Sequence, residues 1–368
     1  MLGFDIRVAK IVWTVFLVAF LLFITYMISS TLLVVVFSIF FSYLVYPLIQ
    51  LVERYRPARM PRTASIALVF VLVVLVAAIA GSIFGGQIQD QAVRLGQQIP
   101  ALLDAKNVSD KIPLPDFMEP LRQRVLDFIS SQVQSNADQA VPLARNFGVS
   151  VMHAASNLIY LILVPVLSFL LIKEAPSIRE ELLSWLGQAN QRMWSGIIKD
   201  LDVLLSKYVR ALLLLSIATL ISYGLAFSIL GVPYSLLLAS IAAVLEFIPF
   251  AGPLAAVAIT LAVAAFSGYP HLLWLLGFIF AYRMFQDYVL NPILMSEGVE
   301  VSPLLVIIGL LAGDQLGGVA GIFLSVPVIA ALKIIFARAS TSRREKLLMQ
   351  QRELPRNEEK APQSFYTD

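Results

Sequence analysis

Residues 303–337, PLLVIIGLLAGDQLGGVAGIFLSVPVIAALKIIFA, constrain this chain more than any other stretch. The run is too apolar for a soluble domain, too long for one straight span, and interrupted by Gly313, Asp314, Gln315, Gly317, Gly318 and Gly321. The arm before the interruption, Pro303 to Ala312, has about ten residues, roughly 15 Å as a helix. A hydrocarbon core is ~30 Å thick, so that arm cannot cross it alone. Irregular backbone at membrane depth survives only where protein or a water-filled cavity covers it. A carboxylate there is costly, which makes Asp314 a functional candidate. The pattern predicts a helical hairpin with a polar, glycine-rich tip.

A second segment is built the same way. Residues 233–266, PYSLLLASIAAVLEFIPFAGPLAAVAITLAVAAF, place Glu246, Pro249, Gly252 and Pro253 between two apolar arms. Those arms reach roughly 21 to 24 Å each, again short of the core. Two interrupted apolar segments in one chain are a pointer to a transporter's binding site. The sequence leaves open whether they are re-entrant hairpins or tilted pairs of full helices. Either way, Glu246 and Asp314 need partners.

Composition sets the class. The chain is 59% hydrophobic and 14% charged, against about 25% charged residues in soluble domains. An all-α polytopic membrane protein in contact with lipid follows. With no cysteine, disulfides, thiol catalysis and Cys-ligated metal are excluded. His153 and His271 have no metal-ligand spacing, and no phosphate-binding loop of the ATPase type is present. We therefore expect no enzyme, no cofactor, no metal site and no nucleic-acid partner.

Taken in order, residues 1–86 read as three spans, Ile11 to Ile28, Leu32 to Leu51 and Ala64 to Phe84, the first two joined by a Ser29–Thr31 turn. Arg7, Lys10 and the cluster Arg54, Arg56, Arg59 and Arg62 put the N-terminus and that second loop in the cytoplasm. Residues 87–148 form an extracytoplasmic amphipathic insertion, with one stripe at Ile88, Ala92, Leu95 and Ile99 and another at Leu121, Val125, Phe128 and Val133. Residues 149–172 are a fourth span, in which Asn157 and Ser168 are expected to bond neighbouring helices. Residues 173–208 read as helices lying in the cytoplasmic interface. Residues 209–337 form a core of one helix, the hairpin 233–267, the helix 271–292 and the hairpin 302–337. The tail 338–368 is basic, with disorder expected beyond about Leu354. By parity both hairpins open toward opposite faces, and a single crossing through 303–337 would strand Arg338, Arg343 and Arg344 outside.

The helix from His271 carries Arg283, Gln286, Asp287 and Asn291 at i, i+3, i+4 and i+8, on one face. Charges inside a membrane helix face protein or a cavity, and usually pair. An Arg283–Asp287 pair that merely glues helices is the plain reading; the position between two acid-bearing breaks favours a transport role. Asn291 and Pro292 are expected to end this helix and leave carbonyls free.

At GVPYSLLLA, EFIPFAGPLAA and FQDYVLNPILMSEGVEVSPLLVIIGLLAGDQLGGVAGIFLSVPVIAAL the chain resembles the autoinducer-2 exporter family of bacterial multi-pass permeases. The likeness is clearest from Gly231 to Leu332. It implies residence in the bacterial inner membrane and export of small polar signalling molecules used in quorum sensing, with sodium or lithium efflux against protons in some members. It also implies a homo-oligomer, a pentamer, with each protomer moving its hairpins in an elevator-like cycle. By position, Ile248 to Pro253 would be the first hairpin's tip and Gly313 to Gly321 the second's.

The sequence thus predicts a secondary transporter holding a small polar solute at Asp314, Gln315, Arg283 and Gln286. One alternative is a cation/proton antiporter with Glu246, Asp287 or Asp314 as proton carrier and sodium or protons as coupling ions. Another is a non-transporting scaffold.

Overall fold

The computed structural model describes residues 6–57, 59–102, 158–295 and 302–353, and these are helical with no strand. The second stripe of the insertion, Asn157, the link 296–301 and the tail beyond Glu353 lie outside the described residues. Among the described residues, four helical stretches are long and apolar enough, by length and composition, to cross a membrane: Thr31–Tyr55, Arg62–Gln98, Asn190–Leu230 and Leu304–Thr341, the last interrupted at Gly317 and Gly318. Helices satisfy every backbone group internally, which is the condition for spanning lipid. The molecule is a helical membrane protein.

Helix α1 (Ile6–Met27) and helix α2 (Ser29–Tyr55) meet at Ile28. The expected turn at 29–31 does not form. Ile28 N–H donates to the Ile24 carbonyl and Leu32 N–H to the Ile28 carbonyl, so the helical bonding runs through and the joint is a kink of one residue. The serines and threonine there are tolerated in a helix because a hydroxyl can bond back to the preceding turn.

Helix α3 (Arg62–Leu102) is 41 residues, about 62 Å, and carries the span and the first amphipathic stripe as one rod. Helix α4 (Leu158–Ser184) passes through Pro165, Lys173 and Pro176 without a break. After a short turn, helix α5 (Gln188–Leu230) continues for 43 residues. The stretch 173–208 is thus shared between the ends of α4 and α5, braced by Arg179 donating to Ser195 Oγ at 3.3 Å and Gln191 donating to the Leu183 and Leu186 carbonyls.

Helices α2, α3 and α4 pack through Val45, Ile49, Ile66, Val69, Phe70 and Ile172. Ser168 Oγ donates to the Ser38 carbonyl at 2.7 Å and Ser42 Oγ to the Ser168 carbonyl at 3.3 Å, so Ser168 bonds a neighbouring helix as expected.

The chain then doubles back twice. Helix α6 (Ser235–Leu245) and helix α7 (Ala251–Phe266) form the first hairpin, seated on α5 and on helix α8 (Leu272–Phe285) around Tyr223, Phe227, Leu238, Ala242, Ala256, Leu275 and Ile279. From Gln286 to Leu290 the helix widens to a π-turn and resumes as α9 (Asn291–Met295). The expected stop at Asn291–Pro292 is therefore replaced by a widening. A proline ring clashes with the carbonyl four residues back, here Tyr288 inside the widened turn, where Asn291 N–H instead reaches the Gln286 carbonyl.

Helix α10 (Pro303–Glu353) is one helix only in name: Gly317 and Gly318 leave helical geometry, Gly318 at φ 56 and ψ −139. Gly313 and Gly321 would be about 12 Å apart in a straight helix. Instead a Cβ on either would overlap the other's carbonyl, and Gly309 lies against Ser325 and Ile329. The arms are folded back on each other. The interruption expected within residues 303–337 is a kink at Gly317 and Gly318.

Candidate functional site

The site is assembled where α6 ends. Its C-terminal carbonyls are left without intrahelical donors, and Ser216 Oγ of α5 donates to the Ala243 carbonyl at 2.7 Å. One turn on, Glu246 is only 7% exposed. A buried carboxylate is tolerable only when paired and hydrogen-bonded, and Glu246 has three partners. Gln286 Nε2 donates to Glu246 Oε2 at 2.8 Å, Thr219 Oγ1 donates to Oε1 at 3.2 Å, and Arg283 NH1 lies 3.6 Å from Oε1. The Tyr282 hydroxyl shares a hydrogen bond with Thr219 at 3.0 Å.

The α8 face supplies the rest. Arg283 NH1 also donates to Gln286 Oε1 at 3.0 Å, and NH2 to Asp287 Oδ1 at 3.1 Å. Asn291 Nδ2 donates to the same Asp287 oxygen at 3.2 Å. The i, i+3, i+4, i+8 spacing read from the sequence is therefore one bonded network. Exposure rises along it, from Gln286 at 1% to the Arg283 side chain at 26% and Asp287 at 49%. Glu246 and Gln286 are buried, while Arg283 is partly exposed and Asp287 exposed.

The break itself is tight. Ala251 N–H donates to the Pro249 carbonyl at 2.7 Å, with Phe250 at φ 61 and ψ −55. This is a γ-turn with positive φ, a rare and strained conformation. Gly252 is buried so closely against the Leu245 carbonyl that a Cβ there would overlap it, and Pro253 stands in the first turn of α7.

The second hairpin's polar residues stand apart from this network. Asp314 and Gln315 are exposed, and no hydrogen bond or ion pair joins them to Glu246, Arg283 or Gln286 among the described residues. The contact between the two hairpins is apolar. Phe247, next to Glu246, lies 6.1 Å from Phe323 of the second arm of α10, and Phe323 in turn stacks on Phe37 and meets a tilted Phe40 of α2. Pro292 is exposed in α9.

Sequence reading missed Thr219, Tyr282, Phe247 and Phe250. Thr219 is one hydroxyl in an apolar span, and such a residue most often bonds its own helix. Only the position of Glu246 opposite it reveals its role. Tyr282 adjoins Arg283, and a tyrosine of a membrane helix reads first as packing. Among the described residues no cluster of His, Cys, Asp and Glu could hold a metal ion.

Residues 13–341 match the model of the AI-2E family of transporters. The chain is similar to YrrI of Bacillus subtilis, 24% identical over 79% of this chain and 82% of that one. It is similar also to the AI-2 transport protein TqsA of Escherichia coli, 27% identical over 78% of this chain and 80% of that one.

Proposed function

Because the chain belongs to the AI-2E transporter family, a family of multi-pass membrane permeases, we propose that it exports a small, polar, autoinducer-2-like solute. One observation carries this reading: a buried Glu246–Gln286–Arg283 network at the break of an interrupted helix pair, open on its Asp287 side. A solute rich in hydroxyls would exchange its water for the Arg283 and Asp287 groups, while Glu246 and Gln286 hold them in place. The second hairpin would bring Asp314 and Gln315 to the solute from the opposite face, both hairpins being re-entrant and moving as an elevator against α2 and α3.

The cell context follows the same proposal. The protein sits in the bacterial inner membrane, with the end that bears Arg54, Arg59, Arg179 and Arg338 in the cytoplasm, and assembles as a homo-oligomer, a pentamer. The basic Arg7 and Lys10 support a cytoplasmic N-terminus in the same proposal.

Everted vesicles containing the protein should accumulate autoinducer-2 faster than vesicles without it, and Arg283→Ala should remove the difference. Equal uptake with and without the protein rejects this solute class. A specific feature also favours an antiporter reading: Glu246 and Asp287 share one guanidinium, leaving one acid in excess for a proton or sodium ion. Collapse of an imposed proton gradient on adding sodium, with no autoinducer-2 flux, would select it.

A further inference from the structure

The outer stretch of α3 touches the first hairpin at a place the site itself does not use. Gln91 and Gln98, seven residues apart, share one face of α3 with Leu95 between them. Gln91 Oε1 accepts from the Leu237 N–H of α6 at 2.9 Å, and Gln98 Oε1 accepts from the Tyr234 hydroxyl at 2.6 Å. Leu237 lies in the first turn of α6, whose N–H groups have no partner within their own helix. Tyr234, the residue before that turn, is held in the left-handed region at φ 58 and supplies no side-chain cap of its own. A glutamine from another helix therefore does the capping.

We infer that Gln91 and Gln98 are positioning residues that set the place of α6, and through it the place of Glu246, from about 16 Å away. Helix α6 is a single short rod of 11 residues, free of proline and glycine, with the latch at its start and Glu246 just past its end. Such a rod carries a displacement of its base to its tip. Its buried face is Leu237, Leu238, Ala239, Ala242 and Ala243, and Ser216 of α5 bonds the Ala243 carbonyl near its end, so a rod fixed at its base and seated along this face has a defined register. The two glutamine bonds are directional and fix the register. Both are made by neutral groups, so the latch is insensitive to salt and to ordinary pH. The inference deepens the transporter reading, on which its functional meaning rests.

Hydrogen–deuterium exchange on the full chain in detergent tests it without a solute. Gln91→Leu should speed exchange about fivefold both in the first turn of α6 and in the tip, residues 246–252, the factor expected for one typical net hydrogen bond. Exchange in α8 should stay as it was. Gln91→Glu keeps an acceptor facing a helix N-terminus, where a negative charge is favourable, and should restore both regions. If Gln91→Leu folds poorly, Gln98→Leu at its exposed position should give the same paired change. Faster exchange at the base with an unchanged tip makes Gln91 a local cap only and overturns the inference, as does failure of Gln91→Glu to restore the tip. A shifted tip in a protein that moves no autoinducer-2 upholds the positioning role while rejecting the transport reading.

Discussion

Glu246 shows how a single residue could be read and misread. The sequence marked it as an acid at a helix break, and Arg283, Gln286, Asp287 and Asn291 as one face; the structure bonds the five together. That much was legible because a helix repeats every 3.6 residues, so spacing alone fixes which side chains share a side. What joins two helices is not periodic, so Thr219 and the Phe247–Phe323 contact stayed hidden. Strain at Phe250 was equally unreadable, because an aromatic residue gives no sign of a positive φ. Glu246→Ala leaves the buried Gln286 amide and part of Arg283 unpaired. We expect it to abolish flux and lower stability by about 3 kcal/mol, the scale for breaking a buried charged pair. Gln286→Met, which removes both hydrogen bonds at a residue 1% exposed, should cost about 1–3 kcal/mol. Thermal unfolding in detergent reads both, and a Glu246→Ala protein as stable as the parent contradicts the network.

At the scale of elements, the breaks after Leu245 and at Gly317–Gly318 were legible as interruptions of apolar runs, and the helix ends were not. Charge returning to a sequence suggests the edge of a membrane, but it does not end a helix. Accordingly α3, α4 and α5 run on past their apolar portions, and Pro165 and Pro176 sit inside α4. Glycine in α10 serves two separate needs. Gly313 and Gly321 make room for carbonyl-to-helix contact, whereas Gly318 has open space around it and is required for its φ. Gly313→Val should therefore force the arms apart and cost more than about 3 kcal/mol, beyond ordinary overpacking because backbone is the obstacle. Gly318→Ala should cost about 1–3 kcal/mol, the usual range for backbone strain, with the arms still paired. Cross-linking between cysteines at Gly309 and Ser325, in a chain without native cysteine, separates them: retained for Gly318→Ala, lost for Gly313→Val.

Over the whole molecule, the contacts sort charge by end. Arg62 pairs with Glu53, Arg338 pairs with Asp200 at 2.7 Å, and the Tyr43 hydroxyl donates to Asp202 at 2.9 Å, so the α2–α3 loop, the start of α5 and the end of α10 gather on one side. The Gln91–Leu237 and Gln98–Tyr234 bonds lie at the other. The sequence forecast this sorting from arginine placement, while the course of the N-terminal segment depended on a turn that the chain does not make. An impermeant maleimide on intact cells should spare Arg59→Cys and label Gln97→Cys. Labelling of Arg59→Cys from outside would invert the assignment of sides.

Helix α5 runs from one of those ends to the other, about 65 Å. It bonds the first hairpin at Thr219 and Ser216 and the end of the second at Asp200. Both α6 and the far arm of α10 are thus fastened to one helix. Side chains along a helix repeat their packing only after a full turn, about 5.4 Å. Under the proposed elevator motion, displacement along α5 would therefore come in steps of that size rather than as a continuous slide.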